Sequence, residues 1–376
     1  MIEWKKRVRD IDFPMKRYES FISNIGLSII SLIIILMVLE ITFRFKALYE
    51  DTKRLHVLND IEHNINDYQG EILLRDIIRL CKYPRIIYEL IPNLAVQFYG
   101  KTLTTNSDGF RSPQYLKQKN PGTVRIVGLG DSVMFGWRVS DNECYLSLLE
   151  ENLNRNFPNV SWEVINTAVP GYNTVMEVET LKEKALLYNP DLVITHYVGN
   201  DIDLPNFIRK KENYLTFKKS FLLEFILHRL RGATQPIMDS LVPAPHHNFE
   251  RRFENDPDRV SDEYKDMVGK EAYYRAMKEL KALSLEHGFE LLIISIQTPN
   301  YVREICSLSN IPQIEAIENV TQFMRANGIK KYSGSVLTIS EDDPHPSAIG
   351  HRIISEFIFD YFEKSGLIKK LIRNNE

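Results

Sequence analysis

Hydrophobic residues follow two patterns along the chain: one uninterrupted run near the N-terminus and, from about residue 122, short runs separated by segments of helical period. No charged residue lies between Phe21 and Leu39, where Ile and Leu dominate. These 19 residues are close to the roughly 20 that a helix needs to span a membrane. The run predicts a transmembrane helix over residues 21–43. A buried core helix would carry a polar face, and a signal peptide would be followed by a small-residue cleavage site.

Basic residues on the two sides of this run indicate its orientation. Residues 1–20 form a basic tail with six Lys and Arg, whereas residues 44–63 hold four. Basic residues are enriched on the cytoplasmic side of membrane spans. We therefore expect a single-pass membrane protein with a cytoplasmic N-terminus. Its larger, C-terminal part would then lie on the outer side, in the periplasm or outside the cell.

The segment at residues 44–121 has no clear period and contains Pro84 and Pro92. We interpret it as a membrane-proximal connector that packs on a main domain at residues 122–376. Short apolar runs in that domain predict buried strands at 124–129, 162–169, 191–198 and 290–296. Helical periods occur at 142–156, 174–188, 264–287, 312–326 and from Pro346 to about residue 364. A charged, Pro-rich insertion occupies about 202–262.

Strands that alternate with helices predict an α/β fold with a mostly parallel sheet and helices on both faces. Ligand sites in such sheets lie beyond the carboxyl ends of the strands. The residues that directly follow each predicted strand are therefore the first candidates for chemistry.

Composition excludes several classes of protein. The chain has 376 residues, with 47 Lys and Arg against 50 Asp and Glu, which gives a net charge of −3. This balance offers no electrostatic basis for nucleic-acid binding. The cysteines, Cys81, Cys144 and Cys306, are too few for a disulfide framework and lack the spacing of a metal site, so we expect buried thiols.

A candidate site residue follows each of the first three predicted strands. Ser132, in Gly-Asp-Ser, stands after the first strand, where a strand-to-helix turn can project its hydroxyl. Gly171 follows the second strand and can bring its N–H close to a ligand. Asn200 follows the third strand, and its amide can donate to a developing oxyanion. Each residue alone is equally typical of a helix cap or a turn.

The fourth candidate is the turn Asp342-Asp343-Pro344-His345-Pro346 near the C-terminus. A serine hydroxyl needs a base to act as a nucleophile, and an acidic residue within the same turn can orient a histidine for that role. Asp342 lies three residues before His345, and Asp343 is its rival at two residues.

These pieces, in this order, resemble the conserved blocks of the SGNH (GDSL-type) esterase and lipase superfamily, and the resemblance covers about residues 122–364. It implies a flavodoxin-like three-layer α/β/α fold and a serine that attacks an ester to form an acyl-enzyme. It also implies that Ser132 is the nucleophile, His345 the general base and Asp342 its orienting acid. The oxyanion hole would consist of the Ser132 N–H, the Gly171 N–H and the Asn200 side chain. No metal or other cofactor is implied.

The expected function is a membrane-anchored serine esterase whose substrate is an acyl ester, with O-acyl groups of a surface polysaccharide or lipid as candidates. An O-acyltransferase that uses the same triad, and a catalytically silent glycan- or partner-binding module, are the alternatives. The segment Thr105–Arg111, together with the span, resembles a membrane-anchored bacterial branch of the superfamily, although the composition of Asn106–Gly109 favours a plain turn. Arg111 would either reach an anionic substrate or cap the domain.

Other histidines and the insertion call for simpler interpretations. His196 and His351 are expected to be packed in the core, and the pair His246–His247 has no carboxylate at metal-ligand spacing. The insertion at 202–262 leaves directly from the Asn200 strand end, so we expect it to determine the substrate.

Overall fold

The computed structural model of the protein describes residues 21–49, 72–210, 215–231, 240–244 and 260–375. The basic tail at 1–20, parts of the connector and the insertion, and the pair His246–His247 lie outside the described residues. The chain divides into two compact units, one formed by Met1–Asp60 with Lys210–Ser240 and the other by Ile61–Arg209 with Leu241–Glu376.

The described helices and strands are, in chain order, α1 (Phe21–Tyr49), β1 (Ile78–Leu80), β2 (Tyr88–Leu90), β3 (Ala95–Phe98), β4 (Lys101–Thr104), β5 (Thr123–Leu129), α2 (Ser132–Phe135), α3 (Tyr145–Asn156), β6 (Ser161–Asn166), α4 (Thr174–Glu183), β7 (Leu192–His196), β8 (Phe207–Lys210), α5 (Phe221–Arg231), β9 (Ser240–Pro243), α6 (Gly269–His287), β10 (Glu290–Ser295), α7 (Asn300–Leu308), β11 (Gln313–Glu315), α8 (Ile317–Ala326), α9 (Ala348–Ser365) and α10 (Leu367–Arg373).

In the first unit, α1 is an apolar helix long enough to cross a membrane, and the side chains of its most apolar stretch are all exposed. Near its C-terminal end, Glu40 pairs with Arg44 at 2.9 Å. The other Glu40 contacts reach the start of α5, where its carboxylate accepts the backbone N–H groups of Phe221 at 3.0 Å and Leu222 at 3.1 Å. Glu40 therefore satisfies N–H groups that the first turn of α5 cannot pair internally.

The second unit contains a five-stranded parallel sheet in the order β11-β10-β7-β5-β6. Counted along the chain, its strands lie in the order 2-1-3-4-5, which is the flavodoxin-like order. The predicted α/β fold with a mostly parallel sheet is therefore confirmed. β5 and β7 are central and entirely buried, which explains why their sequences read as continuous apolar runs.

The helices cover both faces of this sheet because the direction of the connections reverses. The crossover through α3 runs from β5 outward to β6, whereas the crossover through α4 returns past β5 to β7. Right-handed crossovers in opposite directions place their helices on opposite faces. Accordingly, α3 packs on α9, and α4 packs on α6. The reversal lies between β5 and β7, so the ligand crevice is expected beyond their carboxyl ends.

Residues 72–104 contain two antiparallel strand pairs that the hydrophobic pattern did not predict. β1 pairs with β2, and β3 pairs with β4 in an antiparallel hairpin that is closed by Tyr99 and Gly100. Both turn residues have positive φ, +49° and +72°, as a two-residue hairpin of type I′ requires. Apolar residues of this segment join the same hydrophobic core as those of the sheet.

Some boundaries differ from the sequence prediction. The predicted helix at 264–287 begins at Gly269, and the predicted helix at 312–326 divides into the edge strand β11 and α8. The helix at 174–188 continues from α4 into a 3₁₀ turn at Ala185–Tyr188. α7 has a helical period that the pattern analysis missed.

Candidate active site

Ser132 stands at the first position of α2, directly beyond the central strand β5. Asp131 caps this short helix because one of its carboxylate oxygens accepts the Val133 N–H at 3.0 Å. The helix ends after one turn at Gly136, whose φ of +90° places it in the left-handed region. An added Cβ there would lie 2.3 Å from the Cys144 sulfur, so only glycine fits. The strand-to-helix turn thus leaves the Ser132 hydroxyl half-exposed at the sheet edge.

Two side chains from the distant C-terminal turn complete a hydrogen-bonded chain with Ser132. The Ser132 Oγ lies 2.8 Å from Nε2 of His345. On the other side of the ring, Nδ1 of His345 lies 2.6 Å from Oδ1 of Asp343. Burial disfavours ionisation of Asp343, but hydrogen bonds from His345 and its positive charge when protonated outweigh that effect and lower the pKa of the carboxyl. An ionised Asp343 favours the Nδ1–H tautomer of His345, which leaves Nε2 free to accept the serine proton.

The structure places Asp343, and not the predicted Asp342, against His345. Asp342 is exposed and makes no hydrogen bond to His345, whereas Asp343 holds both the ring and the backbone N–H of His345. The cause is the turn: aspartate carboxylates readily accept the N–H two residues ahead. The Asp343 carboxylate accepts the His345 N–H in this way. The backbone N–H of Asp343 in turn donates to the Ser340 hydroxyl. Spacing along the chain does not reveal this orientation.

Asn200, one of the predicted oxyanion donors, is held beside Ser132 by Asp131. Asn200 donates its side-chain amide to Oδ2 of Asp131 at 3.0 Å, and the Ser132 hydroxyl lies 3.1 Å from the same oxygen. Asp131 therefore holds Asn200 next to Ser132. One amide hydrogen is used in this contact, which leaves the second available for a ligand. Sequence reasoning did not predict this role of Asp131.

Gly171 has a φ of +79°, and an added Cβ would lie 2.2 Å from Cγ of Asn206. Its N–H has no hydrogen-bond partner among the described residues, whereas its carbonyl accepts the Asn206 N–H at 3.1 Å. The next turn is fixed by Asn173, which is fully buried, caps α4 and donates to the carbonyl of Asp203 at 3.0 Å. The Gly171 and Asn200 loops are thereby joined to each other.

A layer of buried ionisable side chains lies beneath this surface. Burial, followed by the negative charge of Asp131, raises the pKa of Glu177 well above its usual range. Burial raises the pKa of Asp201 in the same way, with the charges of Glu177 and Asp131 adding to it. Burial also lowers the pKa of His196 to about 4. The neutral forms of all three groups are therefore favoured in the fold.

The remaining candidates have structural contacts. His196 bonds the Tyr145 hydroxyl at 2.9 Å, and buried His351 stacks on the Tyr145 ring. Arg111 is only 5% exposed and donates to the backbone carbonyls of Phe135 and Gly136 at 2.8 and 2.7 Å. It therefore braces the turn after α2 and faces no open site. All three cysteines are free and buried. Among residues 21–49, 72–210, 215–231, 240–244 and 260–375, no cluster of His, Cys, Asp and Glu could hold a metal ion.

Comparison with known proteins finds one matching family. Residues 129–275 match the family described as GDSL-like lipase/acylhydrolase. No curated protein matches the chain significantly.

Several solved structures are similar to parts of the chain. An acetyl xylan esterase, AlAXEase, is 15% identical and has a TM-score of 0.37; the match covers 63% of this chain and 98% of that one. TesA is 13% identical with a TM-score of 0.37, and the match covers 64% of this chain and 98% of TesA. A lipolytic protein of the G-D-S-L family from Desulfitobacterium hafniense is 12% identical with a TM-score of 0.37, over 63% of this chain and 98% of that one.

Proposed function

We propose that the protein is a serine esterase that acts through an acyl-enzyme on Ser132. The match of residues 129–275 to the GDSL-like lipase/acylhydrolase family supports this proposal. The observation that carries this proposal is the unbroken chain from the Ser132 Oγ through His345 to Asp343, with contacts of 2.8 and 2.6 Å. A hydroxyl is a weak nucleophile unless a positioned base takes its proton. This chain supplies the base and the group that orients it.

In the first half of the reaction, the Ser132 Oγ forms a bond to the carbonyl carbon of the ester and its proton moves to Nε2 of His345. The carbonyl oxygen becomes an oxyanion, and the N–H groups of Ser132 and Gly171 and the free amide hydrogen of Asn200 stabilise it. When the tetrahedral intermediate collapses, the ester C–O bond breaks. The leaving alkoxide takes the proton from His345 and departs as an alcohol, which leaves the acyl group on Ser132.

In the second half, His345 takes a proton from water while the water oxygen bonds to the acyl carbon. Collapse of this second intermediate breaks the bond to Ser132, and the proton returns from His345 to Oγ. The products are a carboxylic acid and free enzyme, so atoms and charges balance without a metal or redox partner. The carboxylate of Asp343 remains ionised throughout and stabilises the transient imidazolium.

The chemistry can be tested on the detergent-solubilised full chain with a fluorophosphonate probe and p-nitrophenyl acetate. We expect one adduct, on Ser132, which is lost in Ser132→Ala and His345→Ala. Ser307→Ala, a change of an exposed serine on α7, is the matched control and should label like wild type. Folded wild-type protein that neither labels nor hydrolyses the ester, or that labels at another serine, contradicts the proposal.

The oxyanion donors need a separate measurement. Asn200→Ala should lower kcat by about 10²–10³ with little change in KM, because the amide acts on charge that develops after binding. An unchanged kcat would remove Asn200 from this role.

We further propose that α1 anchors the protein in a membrane, with the N-terminus in the cytoplasm and the catalytic unit outside. The exposed apolar surface and the length of α1 support the anchor, and the basic residues before it support the orientation. In membrane fractions the full chain should resist extraction by alkaline carbonate, whereas a chain that begins after Tyr49 should not. External protease should remove the catalytic unit from intact cells or spheroplasts. Extraction of the full chain by carbonate would contradict the membrane anchor. Protection of the catalytic unit from the external protease would contradict the orientation.

A further inference from the structure

The second carboxylate oxygen of Asp343 has partners that the reaction described above does not use. Oδ1 is occupied by the ring and the backbone N–H of His345. Oδ2 instead accepts the indole Nε1–H of Trp137 at 3.1 Å and lies 3.5 Å from Nη1 of Arg138. The carboxylate is therefore held at both oxygens, one by the histidine that it orients and one by two adjacent residues of another loop.

These two residues are themselves held in place by an aromatic cluster from the β3–β4 hairpin. The Trp137 ring lies 5.3 Å from the Phe98 ring and 5.4 Å from the Tyr99 ring. The Arg138 guanidinium lies over the Tyr99 ring at 4.3 Å from its centre. Aromatic packing of this kind fixes the direction in which an indole N–H points.

The backbone of the same loop is unusually constrained. Arg138 has a φ of +57°, a conformation that is uncommon for a residue with a side chain. Buried Arg111 holds the loop on both sides of it, by bonds to the carbonyls of Gly136 at 2.7 Å and Val139 at 2.7 Å. Strained backbone that the surrounding structure enforces is typical of functional sites.

The position of the loop in the chain links it to the nucleophile. The backbone N–H of Trp137 donates to the carbonyl of Ser132 at 3.1 Å. The segment from Ser132 to Arg138 therefore carries the nucleophile at one end and holds the far oxygen of Asp343 at the other. A change in this segment would therefore affect both the nucleophile and the contacts of Asp343.

We propose that Trp137 and Arg138 are positioning residues that hold the Asp343 carboxylate against His345. This inference rests on the proposed serine esterase function. It assigns the two residues no contact with substrate. Both act through Asp343, and Trp137 also packs near the His345 ring, at 5.8 Å between ring centres. Their effect should therefore appear in kcat and not in KM.

The test uses p-nitrophenyl acetate hydrolysis by the full chain and four variants. Trp137→Phe retains a ring but removes the N–H, and Arg138→Gln removes the charge. Arg138→Lys restores the charge. Trp162→Phe is the matched control, because the buried Trp162 indole nitrogen has no hydrogen-bond partner in the described part of the chain. Circular dichroism and the melting temperature report on folding in each case.

We expect Trp137→Phe to lower kcat roughly tenfold to a hundredfold, the usual effect of losing a hydrogen bond to a charged group, with KM unchanged. Arg138→Gln removes a partly exposed ion pair at 3.5 Å and should lower kcat by about twofold to fivefold, again with KM unchanged. Arg138→Lys should recover much of the loss. A loss of kcat with KM unchanged, together with recovery in Arg138→Lys, is a change that a purely structural role would not produce.

The failures of the two proposals can be distinguished. If wild-type protein hydrolyses the ester through Ser132 but Trp137→Phe and Arg138→Gln match Trp162→Phe in kcat, the positioning roles are wrong and the esterase proposal stands. If both variants raise KM and leave kcat intact, the residues contact substrate and the proposal is also wrong. Absence of Ser132-dependent hydrolysis in folded wild type overturns the esterase function itself, and this inference with it.

Discussion

The neighbouring acids Asp342 and Asp343 offer a sharp test of the proposed triad. They are adjacent in sequence, but only Asp343 contacts His345. Asp343→Asn replaces the carboxylate that lies 2.6 Å from Nδ1 of His345. Asp342→Asn makes the same chemical change at an exposed side chain without that contact. The second variant is therefore the matched control for the first.

The expected magnitude follows from the charge that develops on His345 when it takes the serine proton. With the Asp343 and His345 side chains 16% and 29% exposed, an effective dielectric constant of about 20 is suitable, and two unit charges about 4 Å apart then attract by about 4 kcal/mol. Loss of that attraction in the transition state corresponds to roughly a thousandfold in kcat. An asparagine amide can also donate to Nδ1 and select the wrong tautomer, which would add to the loss.

The assay is steady-state hydrolysis of p-nitrophenyl acetate, together with the rate of fluorophosphonate labelling at Ser132. We expect Asp343→Asn to lose roughly three powers of ten in kcat, with KM nearly constant and the melting temperature close to that of wild type. Asp342→Asn should remain within about twofold of wild type, as is usual for an exposed residue without specific contacts. The reverse pattern, with Asp342→Asn inactive and Asp343→Asn active, would refute the assignment of Asp343.

Three other features give testable expectations. Gly171→Ala should lower kcat by at least about 10², because the added Cβ would meet the Asn206 side chain. Gly288→Ala is the control, since Gly288 has a similar φ, +75°, but its added Cβ would meet no atom of the described residues within 4 Å. Equal kcat losses in the two variants would contradict the oxyanion role. Glu177 has a raised pKa in the fold, so its contribution to stability is present at low pH and is lost as pH rises through the folded pKa. In urea unfolding, the free energy of unfolding of Glu177→Gln relative to wild type should therefore be higher at pH 9 than at pH 5, by up to about 1.4 kcal/mol per pH unit. A difference that does not change with pH would contradict this. Glu40→Ala should destabilise the start of α5 by about 1 kcal/mol and speed limited proteolysis there, and an unchanged cleavage rate would contradict the capping role.

The sequence by itself determined the parts of this protein that depend on local pattern. The apolar run at α1 is continuous, so its helical state and its exposed apolar surface follow from composition alone. The alternation after residue 122 was sufficient to predict a parallel sheet. Because the carboxyl ends of parallel strands meet at one edge, Ser132, Gly171 and Asn200 could be expected together without knowledge of any distance.

Only the tertiary structure decided which side chains touch across long separations and inside tight turns. The choice of Asp343 over Asp342 depends on the dihedral angles of one turn, which residue spacing does not fix. The partners of Arg111 depend on a loop packed against a distant segment, and so its two predicted roles could not be separated from sequence. The contact of Trp137 with Asp343 joins residues about 200 positions apart. No local pattern encodes such a contact, because it forms only when the hairpin, the turn after α2 and the C-terminal turn pack together.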